Sequence, residues 1–182
     1  MPITNTPILV TGATGFVAAE IVKQLLEADY RVRGTTRNVA NAEAEGSLTK
    51  LPGASERLEL AEADLLDEDA YDEAVVGCEY VMHVASPYVL DVEEPQRDLL
   101  DPAVKGTLSV FESAVRAGGV KRIVLTSSFA AISGGTRDGS WSEADWNNTS
   151  TLESGSTPIP RPWPRGQLGH SWRTVSPHST WW

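Results

Sequence analysis

The sequence predicts an α/β fold: a doubly wound parallel sheet of five strands in the order 3-2-1-4-5, with helices on both faces. Two observations carry this. Short apolar, β-branched runs alternate with longer stretches of helical periodicity through about the first 150 residues, as repeated strand–helix units require. A Gly-spaced turn, Gly12-x-x-Gly15-x-x-Ala18, sits between the first apolar run and the first helical stretch.

Ile8 to Val10 reads as a buried strand running directly into Thr11-Gly12-Ala13-Thr14-Gly15. From Phe16 the spacing turns helical, with Val17, Ile21, Leu25 and Ala28 on one face. Tyr30 to Thr36 is the second strand. A polar stretch forming a loop and a short helix follows, and Arg57 to Ala61 is the third strand, its segment ending at Asp64. Glu68 to Val76 is a short helix stopped by Gly77, and Tyr80 to Val84 is the fourth strand. The next helix begins near Pro102, tolerated in a first turn, with Asp101 as its cap. Its expected buried face is Val104, Leu108, Phe111 and Val115, and Gly118-Gly119 ends it. Arg122 to Leu125 is the fifth strand and leads into Thr126-Ser127-Ser128; beyond Ile132 the periodicity is lost.

Composition narrows the function classes. With 182 residues, 41% apolar and 22% charged, the chain suits one globular domain rather than a disordered segment. No apolar run approaches the roughly 18 to 20 residues of a membrane helix, and Met1 to Pro7 lacks the pattern of a signal peptide, so a cytoplasmic protein with no membrane partner is expected. Cys78 is the only cysteine, which excludes an internal disulfide and any multi-cysteine zinc site; no metal site is expected. Fifteen basic against 25 acidic residues give −10 and argue against a nucleic-acid partner. The balance is uneven. The first 154 residues hold all 25 acids and carry −13, whereas the last 28 carry +3 with five of the eleven prolines and four of the six tryptophans. The chain is therefore divided into a domain over 1–150 and a Pro- and Trp-rich tail over 151–182, expected to be disordered.

The glycine turn points to a dinucleotide. Its first glycine permits a tight turn, its second admits a pyrophosphate close to the backbone, and the following helix offers free N–H groups and a favourable dipole. The second strand ends Arg33-Gly34-Thr35-Thr36-Arg37, without the acid that would accept from a free ribose 2′-OH. Arg37 suits a 2′-phosphate instead, which favours NADP and leaves NAD possible. A solvated surface arginine is the competing explanation.

The strings Val-Thr-Gly-Ala-Thr-Gly-Phe-Val at 10–17, Val-Arg-Gly-Thr-Thr-Arg at 32–37, Asp-Leu-Leu at 64–66 and His-Val-Ala-Ser-Pro at 83–87 occur in order. Asp-Pro-Ala-Val-Lys-Gly-Thr at 101–107 and Val-Lys-Arg-Ile-Val-Leu-Thr-Ser-Ser at 120–128 follow. Together they resemble the extended short-chain dehydrogenase/reductase superfamily, which is epimerase/dehydratase-like and Rossmann-type. Within it they resemble the branch of dihydroflavonol reductases, cinnamoyl-CoA reductases and fungal methylglyoxal or aldehyde reductases. The resemblance runs to about Asn147. It implies that Gly12, Thr14, Gly15, Phe16 and Arg37 contact NADP, that Asp64 and Leu65 flank the adenine, and that Ala85 and Ser127 approach the nicotinamide. It also implies that Ser128 is the catalytic serine bonding the carbonyl of a small aldehyde or ketone. His83 is expected to be structural. The same fold without turnover, as an NADP-binding interaction protein anchored by its tail tryptophans, is the alternative function. The oligomeric state is left open.

The departure concerns proton transfer. The resemblance calls for a Tyr-x-x-x-Lys pair, yet the last tyrosine is Tyr88, the last lysine is Lys121, and no such pair occurs. From Ser156 through Gly169, the third base of each codon joined to the first two of the next permits YPYSKTLAERAAW, and Trp163-Pro164 forces its first alanine. The tail is thus read as a shifted frame, against a genuine partner-docking segment. Sequencing the transcript across the codons for Asn148 to Thr157 is expected to show a slipped frame; a clean message in the present frame would sink this reading.

Overall fold

The structure is a computed structural model that describes residues 4–67, 69–87, 94, 97–98, 101–133, 140–142 and 145. The tail over 151–182 lies outside the described residues. The chain divides into two compact units, one within Met1–Pro87 and Lys105–Thr126, the other within Tyr88–Val104 and Ser127–Trp182.

Five parallel strands form one sheet: β1 (Ile8–Val10), β2 (Val32–Thr36), β3 (Leu58–Glu62), β4 (Tyr80–His83) and β5 (Arg122–Leu125). Their order, β3-β2-β1-β4-β5, is the one the sequence predicts. Leu9 stands between Arg33 of β2 and Val81 of β4, so β1 is central, and its three residues are fully buried as a strand covered on both faces must be. The helices are α1 (Phe16–Glu27), α2 (Val39–Glu45), α3 (Ala54–Arg57), α4 (Ala70–Val75) and α5 (Asp101–Ala117). Boundaries differ from expectation by one or two residues: β2 starts at Val32 rather than Tyr30, and β4 stops at His83. None of the described helices is long and apolar enough to cross a membrane.

Two helix faces are corrected. On α1 the buried stripe is Ala18, Val22 and Leu26, whereas Val17 is 52% exposed and Ala28 is an exposed C-cap. Ile21 and Leu25 flank the stripe, packed against a core of Val10, Val32 and Leu48. Ala18 belongs to the same core cluster as Ala13 of the glycine turn, while Val17 faces outward. On α5 the buried residues are Gly106, Ser109, Val110, Phe111, Ser113 and Ala114; Val104 and Leu108 are half-buried and Val115 is 48% exposed. Small residues face inward because the helix approaches closely: a Cβ on Gly106 would lie 2.8 Å from Leu65 Cβ and Cδ2. Asp101 begins α5 rather than capping it, where a carboxylate still favours the positive end of the helix.

Polar clasps fix α4. Ser113 Oγ donates to Asp72 Oδ1 at 2.6 Å and Arg116 Nε reaches both oxygens at 3.0 and 3.1 Å, so the Arg116 guanidinium holds the Asp72 carboxyl below its ordinary range. At the other end, Arg33 Nη1 donates to the carbonyls of Ala74 (2.9 Å) and Val76 (2.7 Å), placing positive charge at the helix C-terminus. A Gly106→Val substitution forces α5 and the 64–67 turn apart; overpacking of this kind costs about 1–3 kcal/mol, read as a lower urea midpoint at unchanged m-value.

Candidate cofactor site

In an open parallel sheet, ligands bind beyond the carboxyl ends of the strands, where the strand order reverses. Here that point lies between β1 and β4. Thr11 follows β1, and its N–H donates to Met82 O at 3.0 Å. Its hydroxyl oxygen accepts from the N–H of Val84 at 3.0 Å and of Ala85 at 2.9 Å, and lies 2.8 Å from His83 Nδ1. Two accepted bonds use both lone pairs, so the hydroxyl proton goes to Nδ1. Nδ1 is therefore the acceptor, and the ring proton sits on Nε2, 3.4 Å from Thr107 Oγ1 on α5. His83 is 1% exposed, with Phe111 edge-on at 6.3 Å, and burial pushes its pKa down to about 4. The histidine is a neutral structural group, as the sequence suggests.

The glycine turn is held from both sides. Gly12 has φ +64°, a conformation that L side chains rarely adopt; a Cβ there would lie 3.1 Å from both Cα and Cβ of Ala85. Its N–H donates to Thr35 Oγ1 at 3.1 Å, its carbonyl accepts from Gly15 N at 2.9 Å, and Ala13 N donates to Thr35 O at 2.7 Å. On the β2 side, a Cβ on Gly34 would fall 2.7 Å from the methyl of Ala13. With these amides engaged, the first-turn N–H groups of α1, at Phe16, Val17 and Ala18, have no intrahelical acceptor. Gly15 caps the helix without a side-chain hydrogen bond, and its first turn holds no acid. Thr14, Gly15 and Phe16 are exposed, Phe16 at 96%. These features fit a dinucleotide pyrophosphate.

Arg37 follows β2, is exposed and forms no ion pair among the described residues. Its neighbour Asn38 is committed as the cap of α2, accepting from Asn41 N at 2.8 Å. After β3, Asp64 Oδ1 accepts from Leu66 N at 2.9 Å, while Leu65 packs on Gly106. Asp64 thus shows the turn-capping role that competes with an adenine contact. Ser127 and Ser128 belong to the second unit, where Ser128 O accepts from Ala131 N at 2.9 Å in a 3₁₀ turn, Phe129–Ala131. The structure therefore gathers Gly12, Thr14, Gly15, Phe16 and Ala85 at the switch point and sets Arg37, Asp64 and Leu65 after the neighbouring strands. Thr11, Thr35 and Thr107 were missed by motif reading. Thr11 carries one signal, a hydroxyl directly after the apolar run Ile8–Val10 that needs partners once buried, whereas Thr35 and Thr107, each following a glycine, carry none. No cluster able to hold a metal ion occurs among the described residues.

Comparison with known proteins agrees with this fold. The model of the "NAD dependent epimerase/dehydratase family" matches residues 8–154. A cinnamoyl-CoA reductase of Medicago truncatula is 47% identical over 125 residues, 69% of this chain and 38% of the relative. A dihydroflavonol 4-reductase of Hordeum vulgare is 45% identical over 126 residues, 69% and 36% of the two chains. Yeast methylglyoxal/isovaleraldehyde reductase, solved complexed with NADPH, superposes with a TM-score of 0.72 at 34% identity, covering 81% of this chain and 45% of the reductase. The chain spans less than half the length of these relatives.

Because His83 has a folded pKa of about 4 against 6.5 when unfolded, its contribution to stability is full above pH 6.5 and falls as the pH drops through 4. The loss reaches about 3 kcal/mol by pH 4. Its ring protons, followed by NMR, are expected to titrate near 4; a midpoint near 6.5 would contradict the burial.

Proposed function

The chain belongs to the NAD dependent epimerase/dehydratase family, and from that premise we propose that it carries the NADP-binding part of a carbonyl reductase. The observation that carries this is the α1 N-terminus: first-turn amides without intrahelical acceptors, no competing acid, and a glycine turn fixed so that backbone lies open. Phe16, Val17 and Ala18 hold the pyrophosphate through their N–H groups, with Gly12, Thr14 and Gly15 shaping the approach. Arg37 pairs with the 2′-phosphate, a charge-assisted contact that NAD cannot make. Asp64 and Leu65 bound the adenine side, and Ala85 and Ser127 the nicotinamide side. NADPH, when bound, supplies hydride to the carbonyl carbon of a small aldehyde or ketone. Ser128 takes the role of donating a hydrogen bond to the carbonyl oxygen.

The proton donor is what this chain lacks: no Tyr-x-x-x-Lys pair occurs in its 182 residues. His83 does not replace it, because the ring is buried, both nitrogens face threonine hydroxyls, and burial keeps it neutral above about pH 4. Positioned proton transfer contributes about 10²- to 10⁴-fold, so the chain binds the cofactor and turns over slowly.

Fluorescence titration tests this directly. NADPH is expected to bind more tightly than NADH, and Arg37→Ala to weaken NADPH alone by about 10- to 100-fold, the range for a hydrogen bond to a charged group. Aldehyde reduction is expected to run at least about 100-fold below that of relatives with the Tyr-Lys pair. Equal affinity for the two cofactors would remove the role given to Arg37, and turnover matching those relatives would refute the missing-acid argument.

A further inference from the structure

We propose that His83 is a positioning residue through which α5 sets the dinucleotide loop, its Nδ1 lone pair fixing the one orientation of the Thr11 hydroxyl that holds Val84 and Ala85 in place. The proposal rests on the reading that this loop binds NADP.

The hydrogen bonds form one directed chain. Thr107 Oγ1 on α5 lies 3.4 Å from His83 Nε2, His83 Nδ1 lies 2.8 Å from Thr11 Oγ1, and that oxygen takes the amides of Val84 and Ala85 at 3.0 and 2.9 Å. Each link fixes the polarity of the next. The two amides can only donate, so the hydroxyl must point its proton at the imidazole, and the imidazole must present a lone pair there. A proton on Nδ1 would bring three donors to an oxygen with two lone pairs while its own hydrogen lost its acceptor. One contact would then open. The geometry at risk is the 3.1 Å approach that a Cβ on Gly12 would have to Ala85, the spacing that brings the residues after β4 against the glycine turn. From the turn after β1 the ring faces Thr11, from α5 Thr107 and Phe111, and on β5 it is in register with Leu125. None of these is charged, and burial is the one cause acting on its titration. The relay therefore works through hydrogen-bond direction rather than charge.

Two substitutions separate positioning from packing in the full 182-residue chain. His83→Phe keeps a ring beside Phe111 and removes the acceptor; His83→Asn places an amide oxygen where Nδ1 stood. With folding verified by circular dichroism, His83→Phe is expected to weaken NADPH binding by about tenfold, the equivalent of one neutral hydrogen bond, and His83→Asn to restore it to within about threefold of wild type. Amide exchange at Val84 and Ala85, measured without cofactor, is expected to accelerate in His83→Phe and not in His83→Asn. A folded His83→Phe with wild-type affinity overturns the proposal, as does a His83→Asn as weak as His83→Phe. If His83→Phe does not fold, Thr107→Val cuts the chain at its α5 end, and unchanged NADPH affinity and unchanged exchange at those amides are the overturning result. A wild type that does not saturate with NADPH overturns the dinucleotide reading itself, while exchange at the two amides still reports the relay.

Discussion

The hydroxyl of Thr11 joins parts of the chain that are far apart in sequence. It lies where β1 gives way to the glycine turn, and its three hydrogen bonds all lead to residues 83–85 at the end of β4. A parallel sheet has no hairpin to hold neighbouring strand ends together, so the crevice at the reversal point must be braced by side chains. The carbonyl of His83 extends the brace by accepting Thr126 N–H at 2.9 Å beyond β5, and Thr35 does the equivalent work on the β2 side. The ends of β1, β2, β4 and β5 are thus tied through two buried threonines and one buried histidine. The first turn of α1 is oriented by what they hold.

The same economy governs the helices. Where α5 meets the turn after β3 the contact is made by Gly106, and the buried residue of the first turn of α1 is Ala18. Close approach there leaves little room for large side chains, and polar clasps such as Asp72 with Ser113 and Arg116 supply direction. Arg33 anchors the far end of α4 from inside the sheet while pairing with Glu59 at 3.1 Å. Its role follows from position: a long side chain in β2 reaches carbonyls that the helix leaves unpaired.

Strand order and the glycine turn were legible in the sequence because alternation of apolar runs and helical stretches constrains topology strongly. The inward faces of α1 and α5 were legible only in part: Phe111 is buried as expected, but the α1 stripe is displaced by one residue to Ala18, Val22 and Leu26, and α5 also turns inward Gly106, Ser109 and Ser113, small residues that a pattern of large apolar ones passes over. The bracing residues were hidden for a related reason. A threonine at a strand end looks like any turn residue until the distances to Val84, Ala85 and His83 are known. Asp64 shows the converse, a motif residue whose capping bond to Leu66 explains its presence without any ligand.

The glycine turn is a layer one methyl thick on each side. Toward β4 the gap between Gly12 and Ala85 has room for the alanine methyl and no second one, and toward β2 the gap between Gly34 and Ala13 is filled in the same way. Between 13 and 34 size is shared rather than owned, a larger residue on one side being tolerable only if its partner shrinks, whereas Gly12 is fixed by its own backbone conformation as well. Directed evolution of this site would therefore recover changes at 13 and 34 as a linked pair, while position 12, held at a φ of +64° that L side chains rarely adopt, would return glycine whatever stands at 85.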